Sequence, residues 1–580
     1  QVLGLKGLMI PNRCRARDIV RMQLWSTALY ILLTTQVEAL LSTRGPFFHG
    51  GRKLPQPQVT LPSGATVFGW HLASPDGDVL AYTNLTYATL TSRFGVPHVY
   101  TAKAGDVING TGINEVCIQP AKLAGLGGDP VEGVEDCLTL AIYIPPAATT
   151  RNRPVAVYIH GGFLLAGSAT DSLGQLNYIA LKSDAVVVSI NYRLNLFGFL
   201  QPPVAEVVPA NRGFRDQIAA LQWVQQNIAS FGGDPTRVTL WGQSAGARSV
   251  MALYQSPMTV GLFQRAIAMS PGYIPSYFET NLSTVKETVG ARCMKATNCS
   301  TLQCLEQKDA YEFASDCNFY LHAEATASPD VVFAGYDGEV LLKPLSEALC
   351  NPWPLPNSNV PIILGGMSAE WRRFQTLIPD TAYLDRFYKD TLPPSWNKQQ
   401  RSCLRSKTVQ LFDGAPCPSN VTVCNLFTDL PLLQEATQVY TLGLGFSGSG
   451  TGAQYRYVMD IDALGGSFGS SHGGDLDLIT GKSDVDPSVP KDKLENFREL
   501  FTGYLASFIQ SGIPLDPTGT AAWTPVNPHA ADKPVMQFNL STADHAFMKP
   551  SVYFSNEAQE DLTKTLCGRQ RTSCCAQFTC

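Results

Sequence analysis

The chain has 580 residues, 44% of them hydrophobic and 16% charged, with a formal net charge of -5 and a pI near 6.0. That composition belongs to a globular protein with ample material for a large core, and it excludes a disordered or low-complexity chain. The mild acidity leaves no basic footprint, so nucleic acid is not an expected partner.

The first forty residues read as a leader rather than as fold. Met22 to Leu33 is a short apolar run, followed by Val37-Glu38-Ala39, which fits a small-residue cleavage site loosely. With Met9 as the start, Arg15, Arg17 and Arg21 supply the basic flank of a secretory signal peptide. The run is too short for an ordinary membrane span, so stable membrane insertion is not expected. Of the 15 cysteines, only Cys14 lies in the leader, which leaves an even 14. N-x-[ST] sequons at Asn84, Asn109, Asn281, Asn298, Asn420 and Asn539 are candidate glycosylation sites. Cysteines and sequons together point to an oxidising, extracellular setting.

The clearest element pattern lies between residues 150 and 260. Val155–Ile159 is an apolar strand run that ends at His160-Gly161-Gly162. Ala185–Ile190 is a second. Residues 215–229 carry Ile218, Leu221, Trp223, Val224 and Ile228 at mostly helical spacing, and Phe231–Thr236 is dense in turn residues. Val238–Trp241 is a third strand run. Beyond it Ala247, Val250, Met251 and Tyr254 repeat as a helix face, and Pro257 bars a long continuation. Strands apolar on both faces, joined by helical crossovers, imply a parallel α/β sheet. Further along, Val360–Leu364 and Gln454–Met459 read as additional strands.

Between the third strand and its helix stands Gly242-Gln243-Ser244-Ala245-Gly246, a G-x-S-x-G pattern in the strand–turn–helix context that makes a serine nucleophile. The helix N-terminus aims its dipole and free N–H groups at the same spot. A serine hydroxyl needs a base. His472, in Gly469-Ser-Ser-His-Gly-Gly-Asp475, and His545 are the candidates. The base needs a carboxylate to hold its tautomer, and Glu370 and Asp337 compete for that role. His160-Gly161-Gly162-Phe163 has the form of an oxyanion loop, with the N–H groups of Gly161, Gly162 and Ala245 as donors.

Taken together, Glu135–Leu138, Tyr158–Phe163, Asn191–Leu194 and Trp223–Ala247 (WVQQNIASFGGDPTRVTLWGQSAGA) resemble the type-B carboxylesterase/cholinesterase family. The likeness runs from about residue 55 to 560. It implies an α/β-hydrolase fold, with a large, mostly parallel central sheet flanked by helices. With the leader and the terminal cysteines it gives three expected segments: residues 1–39 upstream of the mature chain, a hydrolase domain over 40–566, and a cysteine-rich tail over 567–580. The family's acid follows a strand five residues after a glycine, which selects Glu370. Its histidine precedes Gly and a nearby acid, which selects His472. The implied triad is Ser244, Glu370 and His472. The resemblance further implies a disulfide between Cys117 and Cys137, and a second between Cys293 and Cys304. The tail cysteines Cys567, Cys574, Cys575 and Cys580 could pair locally or link chains into an oligomer.

The implied activity is hydrolysis of small carboxylic esters through an acyl-enzyme, in a secreted protein that needs no metal or organic cofactor. Three departures from cholinesterases bear on the substrate. Residues 118–136 contain no aromatic where cholinesterases carry a Trp that binds quaternary ammonium, Gln243 stands where they have Glu, and Trp371 follows Glu370 where Gly is usual. Two other expectations compete: a non-hydrolytic adhesion or binding protein on the same fold, and an esterase that turns over slowly and sequesters esters.

Overall fold

The mainly apolar segments 139–144, 153–159 and 186–190 are buried along their whole length, and they are neighbouring strands of one large sheet. In a computed structural model of the chain, the described residues are 48–49, 52–53, 55–74, 76–121, 130–146, 152–170, 176–271, 279–317, 334–342, 355–367, 452–461, 472–480, 490–517, 523–526, 534–539 and 546–549. The chain divides into two compact units. In Gln1–Gln56 the described part is an antiparallel pairing of Phe48–His49 with Arg52–Lys53. Pro57–Cys580 holds the elements that follow.

In chain order these are β1 (Trp70–Leu72), β2 (Val79–Thr86), β3 (Thr139–Ile144), β4 (Arg153–Ile159), α1 (Leu176–Ser183), β5 (Val186–Ile190), α2 (Arg212–Asn227), β6 (Gly233–Gln243), α3 (Ala245–Gln255), β7 (Arg265–Met269), β8 (Ile362–Met367), β9 (Gln454–Asp460), α4 (Gly474–Thr480), α5 (Lys491–Ser511), β10 (Val535–Asn539) and β11 (Ala546–Lys549). The sheet has 11 strands in the order β11-β10-β9-β8-β7-β6-β4-β5-β3-β2-β1. The block from β10 to β5 is parallel throughout. The flanking pairs β3–β5, β2–β3, β1–β2 and β10–β11 are antiparallel.

The sheet is thus mixed, with a parallel block of seven strands and antiparallel pairings at both ends. The reason lies in the connections. Residues 73–78 and 540–545 are too few for a crossover, so β1–β2 and β10–β11 can only reverse direction. The helical pattern that implied parallel pairing belongs to the middle of the sheet alone.

The two-residue period of the strands splits the core into two layers. Ile142, Val155, Val157, Val188, Val238 and Leu240 face one side, packed with Phe214, Leu221 and Val224 of α2 and Val250 of α3. Tyr143, Tyr158, Val187, Trp241, Ile267 and Met269 face the other, with Ile179 of α1 and Phe501 and Phe508 of α5. Each such side chain contributes about 1.5–3 kcal/mol of hydrophobic burial.

β6 begins earlier than its apolar run. The turn-rich Gly233-Asp-Pro-Thr236 lies inside the strand, where the Asp234 carboxylate accepts the Thr236 N–H and hydroxyl at 2.9 and 2.7 Å. The ladder to β4 shifts register at this point, so the turn letters mark an irregularity within the strand, not its boundary.

The cysteines differ from expectation in one pair. Cys117 is bonded to Cys137. Cys293 bonds Cys317, and Cys304 bonds Cys299, so the Cys293–Cys304 pairing is corrected. The segment holds four cysteines on and between three short helices, Ala291–Ala296, Leu302–Gln307 and Ala310–Asp316: Cys293 and Cys304 lie on the first two, Cys299 between them, and Cys317 just after the third. Their chain reversal returns Cys317 to within 4.7 Å (Cα–Cα) of Cys293, while Cys299 and Cys304 close a short loop at 5.6 Å. Cys567, Cys574, Cys575 and Cys580 lie outside the described residues, as does Asn420. Asn109, Asn281 and Asn298 are exposed, and Asn84 and Asn539 are half-buried. Among the described residues, no helix is long and apolar enough to cross a membrane.

Candidate active site

Strand β6 ends at Gln243, helix α3 begins at Ala245, and Ser244 is the single residue between them. The turn is possible only with a left-handed backbone, and Ser244 has φ 58° and ψ −125°. A non-glycine residue held there stores about 1–3 kcal/mol of strain. Neighbouring backbone imposes it: the Ser244 N–H donates to the Met269 carbonyl of β7 at 2.9 Å, and the Arg248 N–H donates to the Ser244 carbonyl at 3.0 Å. The two glycines of the pentapeptide are required by close approach. A Cβ on Gly242 would lie 2.4 Å from the Gly246 carbonyl, and one on Gly246 would lie 2.0 Å from the Ile159 carbonyl of β4.

His472 comes from the turn that leads into α4, 228 residues away in sequence. Its Nε2 lies 2.7 Å from the Ser244 hydroxyl oxygen, within hydrogen-bond distance. The Gln243 carboxamide nitrogen stands 3.5 Å from the same Nε2. Ser244 and His472 are both partly exposed, while Gln243 beneath them is buried. A hydroxyl on an imidazole acceptor at this distance, reachable from solvent, is the arrangement for proton removal during nucleophilic attack.

The proposed oxyanion donors come from two sides of the serine. Ala245 opens α3, so its N–H is one of the first-turn groups that have no intrahelical acceptor. Gly161 follows β4, and a Cβ there would lie 3.0 Å from the Ser244 Cβ, so its peptide passes directly beside the nucleophile. Gly162 has φ 103° and turns the loop away. His160 is buried beneath it, stacked on Tyr192 with ring centroids 4.5 Å apart. The Tyr192 hydroxyl donates to the His160 carbonyl at 3.0 Å, and burial pushes that phenol well above its ordinary range. Tyr192 is thus a neutral structural donor that holds the start of the loop.

The other sequence candidates separate clearly. Glu370 lies outside the described residues, three positions past the end of β8, and His545 also lies outside them. Asp337 is engaged elsewhere. Its Oδ1 accepts the N–H groups of Glu339, Val340 and Leu341, and its Oδ2 pairs with Arg215 at 3.2 Å. It caps a turn.

One residue was only part of a motif in the sequence and acquires a role here. Asp475 is fully buried three positions after His472. It accepts the Tyr457 hydroxyl at 2.6 Å, the Ser270 hydroxyl at 3.4 Å and the Leu476 N–H at 2.9 Å. These bonds tie the His472 turn to β9 and to the end of β7. The available signal was an acidic residue directly after two glycines, in the first turn of a short helix. Its partners, far off in sequence, carry no such mark.

Residues 55–555 match the family model described as the carboxylesterase family. Carboxylesterase 3B of Mus musculus is 44% identical over 189 residues, 32% of each chain. Carboxylesterase 3 of Pongo abelii is 39% identical over 251 residues, 42% of this chain and 41% of that one. Esterase FE4 of Myzus persicae is 29% identical over 540 residues, 85% of this chain and 90% of that one. The matched stretches thus span less than half of the two mammalian relatives and nine-tenths of the aphid esterase.

Proposed function

This chain belongs to the carboxylesterase family, and we propose that it is a hydrolase of small carboxylic esters that works through an acyl-enzyme on Ser244. The observation that carries this is the 2.7 Å contact between the Ser244 hydroxyl and His472 Nε2 at a strained strand-to-helix turn. His472 takes the hydroxyl proton as Ser244 Oγ attacks the ester carbonyl, then returns it to the departing alcohol. The N–H groups of Gly161, Gly162 and Ala245 receive the developing oxyanion. Glu370 orients His472 and stabilises its imidazolium. Water activated by His472 then cleaves the acyl-enzyme, which restores the serine.

Choline esters are not the favoured substrates. Residues 118–136 carry no aromatic face for a quaternary ammonium, and Gln243 brings no negative charge to the serine. The bonded cysteines and the exposed sequons support a secreted glycoprotein.

Hydrolysis of a short-chain p-nitrophenyl ester by the purified protein, with Ser244→Ala as control, tests the reading. Activity is expected only with the serine present, and equal rates in both would sink it. Stoichiometric labelling by a fluorophosphonate without steady ester turnover would instead mark a sequestering protein. A mobility shift after glycosidase treatment of protein recovered from the medium tests secretion.

A further inference from the structure

We propose that Gln119 is a positioning residue that holds the oxyanion loop against the nucleophile, acting through Gly167. The proposal rests on the reading of Ser244 and its oxyanion donors given above.

The loop after β4 does not keep its shape by local preference. Phe163 and Leu164 both have left-handed backbones, with φ 60° and 61°, a conformation that non-glycine residues rarely adopt. Something outside the loop must impose that path. Gln119 is buried at 4% exposure, and its carboxamide is committed to backbone. Oε1 accepts the Gly167 N–H at 2.7 Å, and Nε2 donates to the Gly167 carbonyl at 3.2 Å and to the Cys117 carbonyl at 3.1 Å. Both polar ends of one side chain therefore grip both polar groups of one residue. The grip is anchored at Cys117, which is bonded to Cys137.

Gly167 passes the constraint on. A Cβ there would lie 2.3 Å from His160 Nδ1 and 2.9 Å from the Gly161 carbonyl, so its backbone lies flush on the peptide that bears the oxyanion donors. Gly161 in turn abuts Gln243 and Ser244. Two neighbouring carboxamides support the same loop. Asn191 Oδ1 accepts the Ala169 N–H at 2.7 Å, and Asn195 Nδ2 donates to the Leu165 carbonyl at 3.4 Å as well as to the Ile118 carbonyl at 2.9 Å. Gln119 is the one whose two ends bracket Gly167. Removing it frees the Gly167 peptide to rotate and lets the Gly161 and Gly162 N–H groups drift from the oxyanion, where small displacements are costly.

The test uses Gln119→Met, which preserves shape without polar atoms, and Gln119→Glu, which keeps the acceptor for the Gly167 N–H. Rates are taken per fluorophosphonate-titrated serine on a matched oxoester and thionoester. Thiocarbonyl sulfur is a poor hydrogen-bond acceptor, so thionoester hydrolysis draws little on the oxyanion donors. Gln119→Met should lower kcat on the oxoester about 10- to 100-fold with KM little changed. The thionoester should lose much less, which narrows the oxo/thiono ratio, and Gln119→Glu should recover part of the difference. A wild-type ratio in Gln119→Met, or equal loss on both substrates, overturns the proposal. Ser244→Ala runs alongside: if it stays active, the nucleophile reading fails and the clamp with it. If it is dead while the ratio does not move, only the clamp fails.

Discussion

The Tyr457 hydroxyl donates a 2.6 Å hydrogen bond to the buried carboxylate of Asp475, three residues beyond His472. A hydrogen bond to a buried charged group contributes about 1.5–3 kcal/mol. Tyr457→Phe removes the donor and little else. It should lower stability by about that amount and reduce kcat more than it raises KM, because the His472 turn loses a tether to β9. Urea unfolding and ester kinetics on the same preparation check this, and unchanged values in both would assign the bond no role.

The backbone strain at Ser244 predicts an inverted mutational order. Ala is ordinarily more stable than Gly in ordered structure. At φ 58° the Cβ is the liability, and Ser244→Gly sheds it while Ser244→Ala does not. Both variants lose the same bond to His472, so the comparison isolates the strain. Ser244→Gly should exceed Ser244→Ala by about 1 kcal/mol in denaturant unfolding. The ordinary order would show that the turn stores no strain.

Gln243 predicts a pH effect of known sign. Its carboxamide stands 3.5 Å from His472 Nε2. In Gln243→Glu a negative charge at that distance favours the imidazolium. The base then stays protonated to higher pH, so the acidic limb of the kcat/KM profile should move upward by about one unit. A limb that stays in place or moves down would contradict the placement of this side chain beside the imidazole.

Asp216 and Arg193 form a buried pair, 0% and 3% exposed, joined at 2.6 Å through Nη2 and at 2.8 Å through Nε of the arginine. The guanidinium also donates to the carbonyls of Arg93 and Gly95. Asp216→Asn leaves this cation without its counter-charge in the interior, at about 3–5 kcal/mol. Thermal or denaturant unfolding should show a loss of that size, and a loss below about 1 kcal/mol would mean that the pair is solvated.

Much of the centre of the fold was legible because it is written locally. Val155–Ile159, Ala185–Ile190 and Val238–Trp241 announce buried strands through mainly apolar runs, and each falls on a strand of the parallel block, the second beginning one residue later at Val186. The helix after Ser244 was readable from Ala247, Val250, Met251 and Tyr254, and it runs Ala245–Gln255. The flanks were not readable in this way. The direction of β1 and β11 depends on the length of the connection that joins each to its neighbouring strand, not on any periodicity. The cysteine pairing of residues 293–317 depends on how three short helices fold back, which spacing alone does not encode.

Sequence by itself determined which serine is exposed at a sharp turn, because the small residues and the strand–helix change around it are neighbours along the chain. It also determined that His160-Gly161-Gly162 ends a strand. Only the tertiary structure decided that His472, from 228 residues away, meets Ser244. It alone decided that Asp475 is held by Tyr457 and Ser270, and that Gln119 grips Gly167. Periodic burial is a property of consecutive residues and leaves a pattern. A single buried polar side chain is satisfied by partners from distant segments, and it leaves none until the sheet has brought them together.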